Sequence, residues 1–338
     1  MPKLDRSPAK SFKIIVLGAL LLATFASTAR AQRFAPRAYV SNEHDGTISV
    51  INTTTDKVIS TIRVGGRLRG IHLSQSGRTV YVAMTDPANL RGSELERIVA
   101  LDAATGRVMA RYPAGSDPEQ FAINRAGTRL YISNEDAGTA SIINVKTARV
   151  IATLVVGIEP EGVALSPNGR WVYVTAESSS NVTVIDAMTN KVKATFPVGA
   201  RPRDAAFSPD GLRAYVTAEN GGTVSVINTN THTVVDTIEL PRGQVRPMGI
   251  ALTRNGKRLY VANGRGNSVA VIDAKTHKVL AMIPVVERPW GIAITPDGRK
   301  IYTTNGLSNN VAVIDTATNR VIKTIQVGNG PWGIAISH

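Results

Sequence analysis

The residues of this chain best suited to chemistry are charged or aromatic and fall at one recurring place, beside short proline- or glycine-containing turns. In chain order they are Arg67 and Arg69; Asp117 and Glu119; Glu159 and Glu161; Arg201, Arg203 and Asp204; Arg246; Arg288 with Trp290; and Trp332. Carboxylates beside guanidinium groups can orient a ligand, or polarise a carbonyl while a carboxylate activates water. The competing reading is a set of ion pairs of small individual worth that hold neighbouring units in register. The set varies from unit to unit while other turns repeat nearly unchanged, and a demand felt in every unit should produce recurring residues. That contrast favours ligand or partner binding for the set and names no catalytic residue. Five scattered histidines and no cysteine give a metal site little support.

The elements that position these residues are set by a line of tyrosines. Tyr39, Tyr81, Tyr131, Tyr173, Tyr215, Tyr260 and Tyr302 recur about every 42 residues, each opening a short β-branched strand such as Tyr215-Val216-Thr217-Ala218. A period of ~40–45 residues filled with alternating strands and turns predicts propeller blades. The last complete copy shows four strands, A to D: Trp290-Gly291-Ile292-Ala293-Ile294, Ile301-Tyr302-Thr303-Thr304, Val311-Ala312-Val313-Ile314-Asp315, and Arg320-Val321-Ile322-Lys323-Thr324-Ile325. Asn168-Gly169, Asp210-Gly211, Asn255-Gly256 and Asp297-Gly298 make A–B turns. Strand C ends in an acid with threonine three residues later, as in Asp273 and Thr276, which predicts an Asx turn into strand D.

Seven B strands match seven A strands. The chain after its leader opens on a B strand and stops on an A strand, so a seven-bladed, all-β, four-stranded antiparallel ring closes when the C-terminal strand completes the first blade. The D–A and B–C loops then share one face, which gathers all the residues named above. Removing the closing segment, residues 328–338, should unfold the ring, whereas reversing Glu119 and Glu161 to arginine should abolish capture of a ligand and spare the fold.

Trp290 and Trp332 lie between proline and glycine in consecutive copies, so the two indoles should sit on adjacent blades. They fit an aromatic platform for a ligand or, the commoner use, large rings packed between blades. His72 replaces an alanine of the other A strands and reads as a histidine satisfied by a neighbouring blade.

The first residues carry Lys3, Arg6, Lys10 and Lys13, then an apolar run over 14–23, then Ala29-Arg30-Ala31. This is the pattern of a secretory leader over 1–31, leaving a propeller domain over 32–338 with no further membrane-length run and a periplasmic or secreted destination. The formal charge of +14 falls to +10 on cleavage, since the leader holds five basic residues and one acid. The remaining bases are mostly single residues at turns, without a basic run or interleaved aromatics, so a solvated basic surface fits better than a nucleic-acid groove.

The units resemble the YVTN-family β-propeller repeat across all seven copies. The order Arg67-Leu68-Arg69-Gly70, Asp117-Pro118-Glu119, Glu159-Pro160-Glu161-Gly162, Arg201-Pro202-Arg203, Asn305-Gly306-Leu307-Ser308-Asn309 and Pro331-Trp332-Gly333 is most similar to propellers associated with PQQ-dependent catabolism. That resemblance implies a periplasmic accessory of quinoprotein alcohol or aldehyde oxidation with no established enzymatic activity of its own, and the reading of the residues adds an exported monomer that binds a periplasmic protein partner or small ligand. PQQ enters only through the resemblance, and the residues themselves call for no cofactor. Leu68 departs from the usual proline, and blade 2 carries a B–C insertion over 85–96, read as a lid or a solvated loop. The alternatives are a propeller lactonase or other hydrolase acting at the mouth, and an adhesion or nucleic-acid-binding module.

Overall fold

The computed structural model describes residues 1–2, 36–88, 94–241 and 245–337. The leader assigned to 1–31 lies, but for its first two residues, outside them. So does the middle of the insertion in blade 2, and with it the choice between lid and loop. The propeller is the compact unit Ala35–His338. Among the described residues no helix is long and apolar enough to cross a membrane.

Twenty-eight strands among the described residues form seven four-stranded antiparallel sheets. Blade 1 is ordered A (Pro331–Ile336), B (Arg37–Asn42), C (Thr47–Asn52), D (Lys57–Arg63), so the C-terminal strand is the inner strand of the first blade. The ring closes as the sequence predicts. The alternating B and C strands bury their β-branched residues between blades, while the D strands at the rim stay largely exposed. Asp102, Asp273 and Asp315 accept the backbone N–H of the threonine three residues on, at 2.8, 2.7 and 2.8 Å, which is the expected Asx turn.

Each A strand carries a bulge directly after its first residues. In blade 4, Pro160 pairs with Ala176 and Val163 with Val174, so Glu161 and Gly162 stand opposite Thr175 alone. The other six blades show the same two-against-one register. A bulge bends the strand and redirects its side chains, and here it opens a ring of seven positions at the channel mouth. The hydroxyl opposite the bulge fixes it twice. Thr175 Oγ1 accepts Gly162 N–H at 2.8 Å and donates to the Arg203 carbonyl of blade 5 at 3.2 Å. Ser41, Ser133, Thr217 and Thr304 donate in the same way to the carbonyls of Arg69, Glu161, Met248 and Trp332 at 2.5–2.7 Å. Glycine follows the ring position in blade 4 because a Cβ on Gly162 would lie 2.4 Å from the Arg203 carbonyl.

Candidate channel-mouth site

The ring positions, in order round the mouth, are Arg69, Glu119, Glu161, Arg203, Met248, Trp290 and Trp332, one from each A-strand bulge. A second tier comes from the D–A loops, where Asp117, Glu159, Arg201 and Arg288 adopt positive φ. Their carbonyls are held by the B–C loops of the same blades: Glu135, Glu177 and Glu219 donate N–H to Asp117, Glu159 and Arg201 at 2.9, 2.8 and 2.8 Å. The two loop sets do share one face.

The structure brings most of the predicted residues into a network that runs between blades. Arg67 grips Asp117 through Nη2 at 2.8 and 3.0 Å, and Arg69 Nη2 lies 3.0 Å from Glu119 Oε1. Glu43 of blade 1 lies within 3.8 and 3.5 Å of Arg67 and Arg69. Arg203 Nη2 reaches Glu161 at 2.9 Å and also contacts Glu177, while Arg201 bridges Glu177 and Glu219 at 2.8 and 3.1 Å. Burial works against the Arg69 charge, but Glu119, Glu43, Glu161 and Asp117 outweigh it and raise its pKa. Four of the charged residues named from the sequence stay outside this network, Asp204 among them. Glu159 accepts from the Ser178 hydroxyl, Arg246 donates to Asn220 at 2.6 Å, and Arg288 makes no ion pair among the described residues.

The indoles sit on adjacent blades with centroids 5.9 Å apart, tilted by 35°. Arg203 and Arg288 lie 5.3 and 4.6 Å from the Trp290 ring, and Arg69 lies 5.6 Å from that of Trp332. The pair therefore links basic side chains on either side, with Trp332 buried, Trp290 half-buried and both indoles on the channel cavity. His72 bonds Gln120 of the next blade at 3.1 Å and meets Phe121 edge-on, and burial lowers its pKa.

Two groups of residues take places that their spacing alone does not give. The B–C loop asparagines Asn42 and Asn134 look like mouth residues but turn inward, donating at 2.9–3.1 Å to hydroxyls of strand C. Asp204 occupies the bulge position that is glycine in five blades, and that break in the repeat is the signal that finds it. Its carboxylate accepts N–H from Ala205 at 2.8 Å and from Ile250 of blade 6 at 3.1 Å. Burial pushes its pKa up to about 6, against the pull of those two donors and with the push of Glu161. It shares with His72, Glu161, Arg203, Trp290 and Trp332 the wall of a channel cavity of about 410 Å³. The lower walls are apolar, with Val163, Phe207, Ile250 and Ile292 among them.

Residues 186–328, from the end of strand C in blade 4 to the loop after blade 7, match the family described as "Lactonase, 7-bladed beta-propeller". Under half of the chain carries that match. Solved structures share the whole ring. A protein of Lactobacillus plantarum aligns at 15% identity and TM-score 0.77, covering 90% of this chain and 100% of its own. A "putative 6-phosphogluconolactonase" of Bacteroides fragilis aligns at 17% and 0.75, covering 90% and 98%. Hydrazine synthase of Kuenenia stuttgartiensis aligns at 20% and 0.70, covering 82% and 92%. At these identities the likeness shows the fold alone. No curated protein matches the chain.

Proposed function

We propose that the channel mouth is the site of a lactone-opening hydrolase in which Asp204 is the base. The carrying observation is the placement of Asp204, a carboxylate standing where the repeat otherwise asks for glycine, on the cavity wall, with its pKa raised to about 6. Such a group is ionised at neutral pH yet basic enough to take a proton from water. The hydroxide so formed adds to the lactone carbonyl. The oxyanion faces the basic side of the mouth, where Arg203 is held in place and Arg288 makes no ion pair among the described residues. Collapse breaks the ring C–O bond, Asp204 returns its proton to the leaving alkoxide, and a hydroxy acid departs. The family match over 186–328 supports this reading, as do the names of two structural neighbours, from Bacteroides fragilis and Bacteroides uniformis.

A second reading, a binding propeller without catalysis that serves an exported oxidation system, is favoured by one feature. The guanidinium groups of Arg67, Arg69, Arg201 and Arg203 are already committed to carboxylates. A panel of γ- and δ-lactones followed by pH-stat titration separates the two. Wild type should release acid at a rate that rises through about pH 6, and Asp204→Asn should lower the rate by roughly 10²–10⁴-fold with an unchanged circular dichroism spectrum. A wild type that opens no lactone would leave the binding reading in its place.

A further inference from the structure

We propose that Asp117, Glu119 and Glu135 of blade 3 form a binding site for a hard divalent cation, Ca²⁺ by the chemistry of its donors. One oxygen from each lies within 4.8 Å of the others. The three come from three segments of a single blade, the D–A loop, the A-strand bulge and the B–C loop, and the Glu135 N–H bond to the Asp117 carbonyl ties two of those segments together. This trio is separate from the cavity wall that carries Asp204, and the proposal does not rest on the hydrolytic reading.

The pairing of the other B–C acids shows what is missing here. Glu43 of blade 1 pairs with Arg67 and Arg69 of blade 2, Glu177 of blade 4 with Arg201 and Arg203 of blade 5, and Glu219 with those same arginines of its own blade. Glu135 of blade 3 faces blade 4, whose corresponding residues are Glu159 and Glu161. Among the described residues no lysine, arginine or histidine reaches Glu135. Glu119 is 0% exposed, and neither of its carboxylate oxygens receives a hydrogen bond; Arg69 at 3.0 Å and Arg67 at 3.8 Å approach Oε1. Glu43, Asp117, Glu119 and Glu135 therefore share two guanidinium groups, Arg67 and Arg69, in a chain whose overall charge is +14. Burying surplus negative charge is costly without a compensating cation. Glu135 is half-buried and gives access from the mouth.

Carboxylate oxygens without imidazole or thiolate select hard ions. The longer reach and looser geometry of Ca²⁺, with ligands at about 2.3–2.6 Å, suit donors already fixed by a backbone hydrogen bond and two arginines better than the strict octahedron of Mg²⁺. A proton shared between Glu119 and Glu135 is the rival means of compensation. The test is isothermal titration of CaCl₂ into EDTA-treated, desalted protein at pH 7.5, with melting temperature read in parallel. One saturable site and a rise of several degrees are expected. Glu135→Gln and Asp117→Asn should each weaken binding at least tenfold, and Glu159→Gln, on the neighbouring blade, should leave it unchanged. No heat and no thermal shift at millimolar Ca²⁺, Mg²⁺ or Mn²⁺ would overturn the proposal in favour of the shared proton, as would binding that survives Glu135→Gln.

Discussion

The outer C–D turns and the channel mouth are built by the same repeat, and they treat sequence in opposite ways. At the outer turns one residue type serves repeatedly. The Tyr39 hydroxyl donates to the Ala103 carbonyl of blade 2 at 2.9 Å, Tyr215 to Ala274 of blade 6 at 3.2 Å, and Tyr302 to Thr53 of blade 1 at 3.3 Å. At the mouth, seven equivalent positions hold arginine, glutamate, methionine and tryptophan. The difference follows from what each side chain meets. A tyrosine that must reach a backbone carbonyl has the same solution in each of these three blades, whereas side chains that meet side chains need only be complementary in pairs; Tyr173, whose hydroxyl meets His232 instead, belongs to the second kind. Only the bulge beneath them must be constant, and it is.

The largest effect should come from cutting the repeat where it closes. Deleting residues 328–338 removes Trp332, 5% exposed, and with it Ile334 and Ile336, which pack on the core of blade 1. It also strips strand B of its inner partner. Burial alone is worth about 1.5–3 kcal/mol for each full side chain, and lost pairing adds to it, against a total of about 5–15 kcal/mol for a typical domain. Insoluble product or loss of a cooperative melt is expected. A melt within a few degrees of wild type would break the account of closure.

Charge reversal at the mouth comes next, and here the structure corrects the sequence. Exposed acids would tolerate reversal, but Glu119 and Glu161 are 0% and 5% exposed, and Glu161 neutralises a buried Arg203. Glu161→Arg should cost about 3–5 kcal/mol, the range for stranding a buried charge. Glu159→Arg, at the half-buried rim, should cost ~1 kcal/mol or less. Equal melting temperatures for the two variants would mean that the ring positions do not hold blades together, and the contrast between mouth and rim would fail.

Asp204 sharpens the comparison through pH. Its folded pKa of about 6 lies above the ordinary value of 3.8, so between these values the native state holds more protons than the unfolded chain. Stability should therefore rise as pH falls from about 7 to 4. Two pKa units set an upper bound of about 3 kcal/mol, reduced in Asp204→Asn because an amide oxygen accepts only one of the two backbone N–H groups well. The variant should gain on wild type at pH 8 and lose that gain by pH 4, as read by urea melts at both values.

How much of this was legible follows the same division. The tyrosine period, the Asx turns and the mismatch of chain ends carry the fold in local residue types, and the A strands start where proline and glycine mark them. The mouth positions were legible as positions. Their partners were not, because an ion pair such as Arg203 with Glu161 joins residues whose proximity exists only once blades stand side by side. The inward turn of Asn42 and Asn134 is hidden for a related reason: a polar residue at a strand end faces water or strand C according to one side-chain rotation, and the sequence records neither.

The smallest effect tests the uniform side of the comparison. Tyr39→Phe keeps the ring, which is 2% exposed, and removes only the hydroxyl that bonds Ala103. The ring's burial is therefore unchanged, and the loss should be that of one buried hydrogen bond, about 0.5–1.5 kcal/mol, with some addition for the carbonyl left with fewer donors. Arg37 also donates to the Ala103 carbonyl at 3.2 Å, so that addition should be small. Tyr215→Phe removes an equivalent bond at Ala274. The two variants should lose similar amounts in urea melts with unchanged m-values, and their double mutant should lose the sum, because blades 1 and 5 share no partner in these bonds. A loss several times larger for one of them would show that the repeat does not divide its load evenly even where its residues are identical.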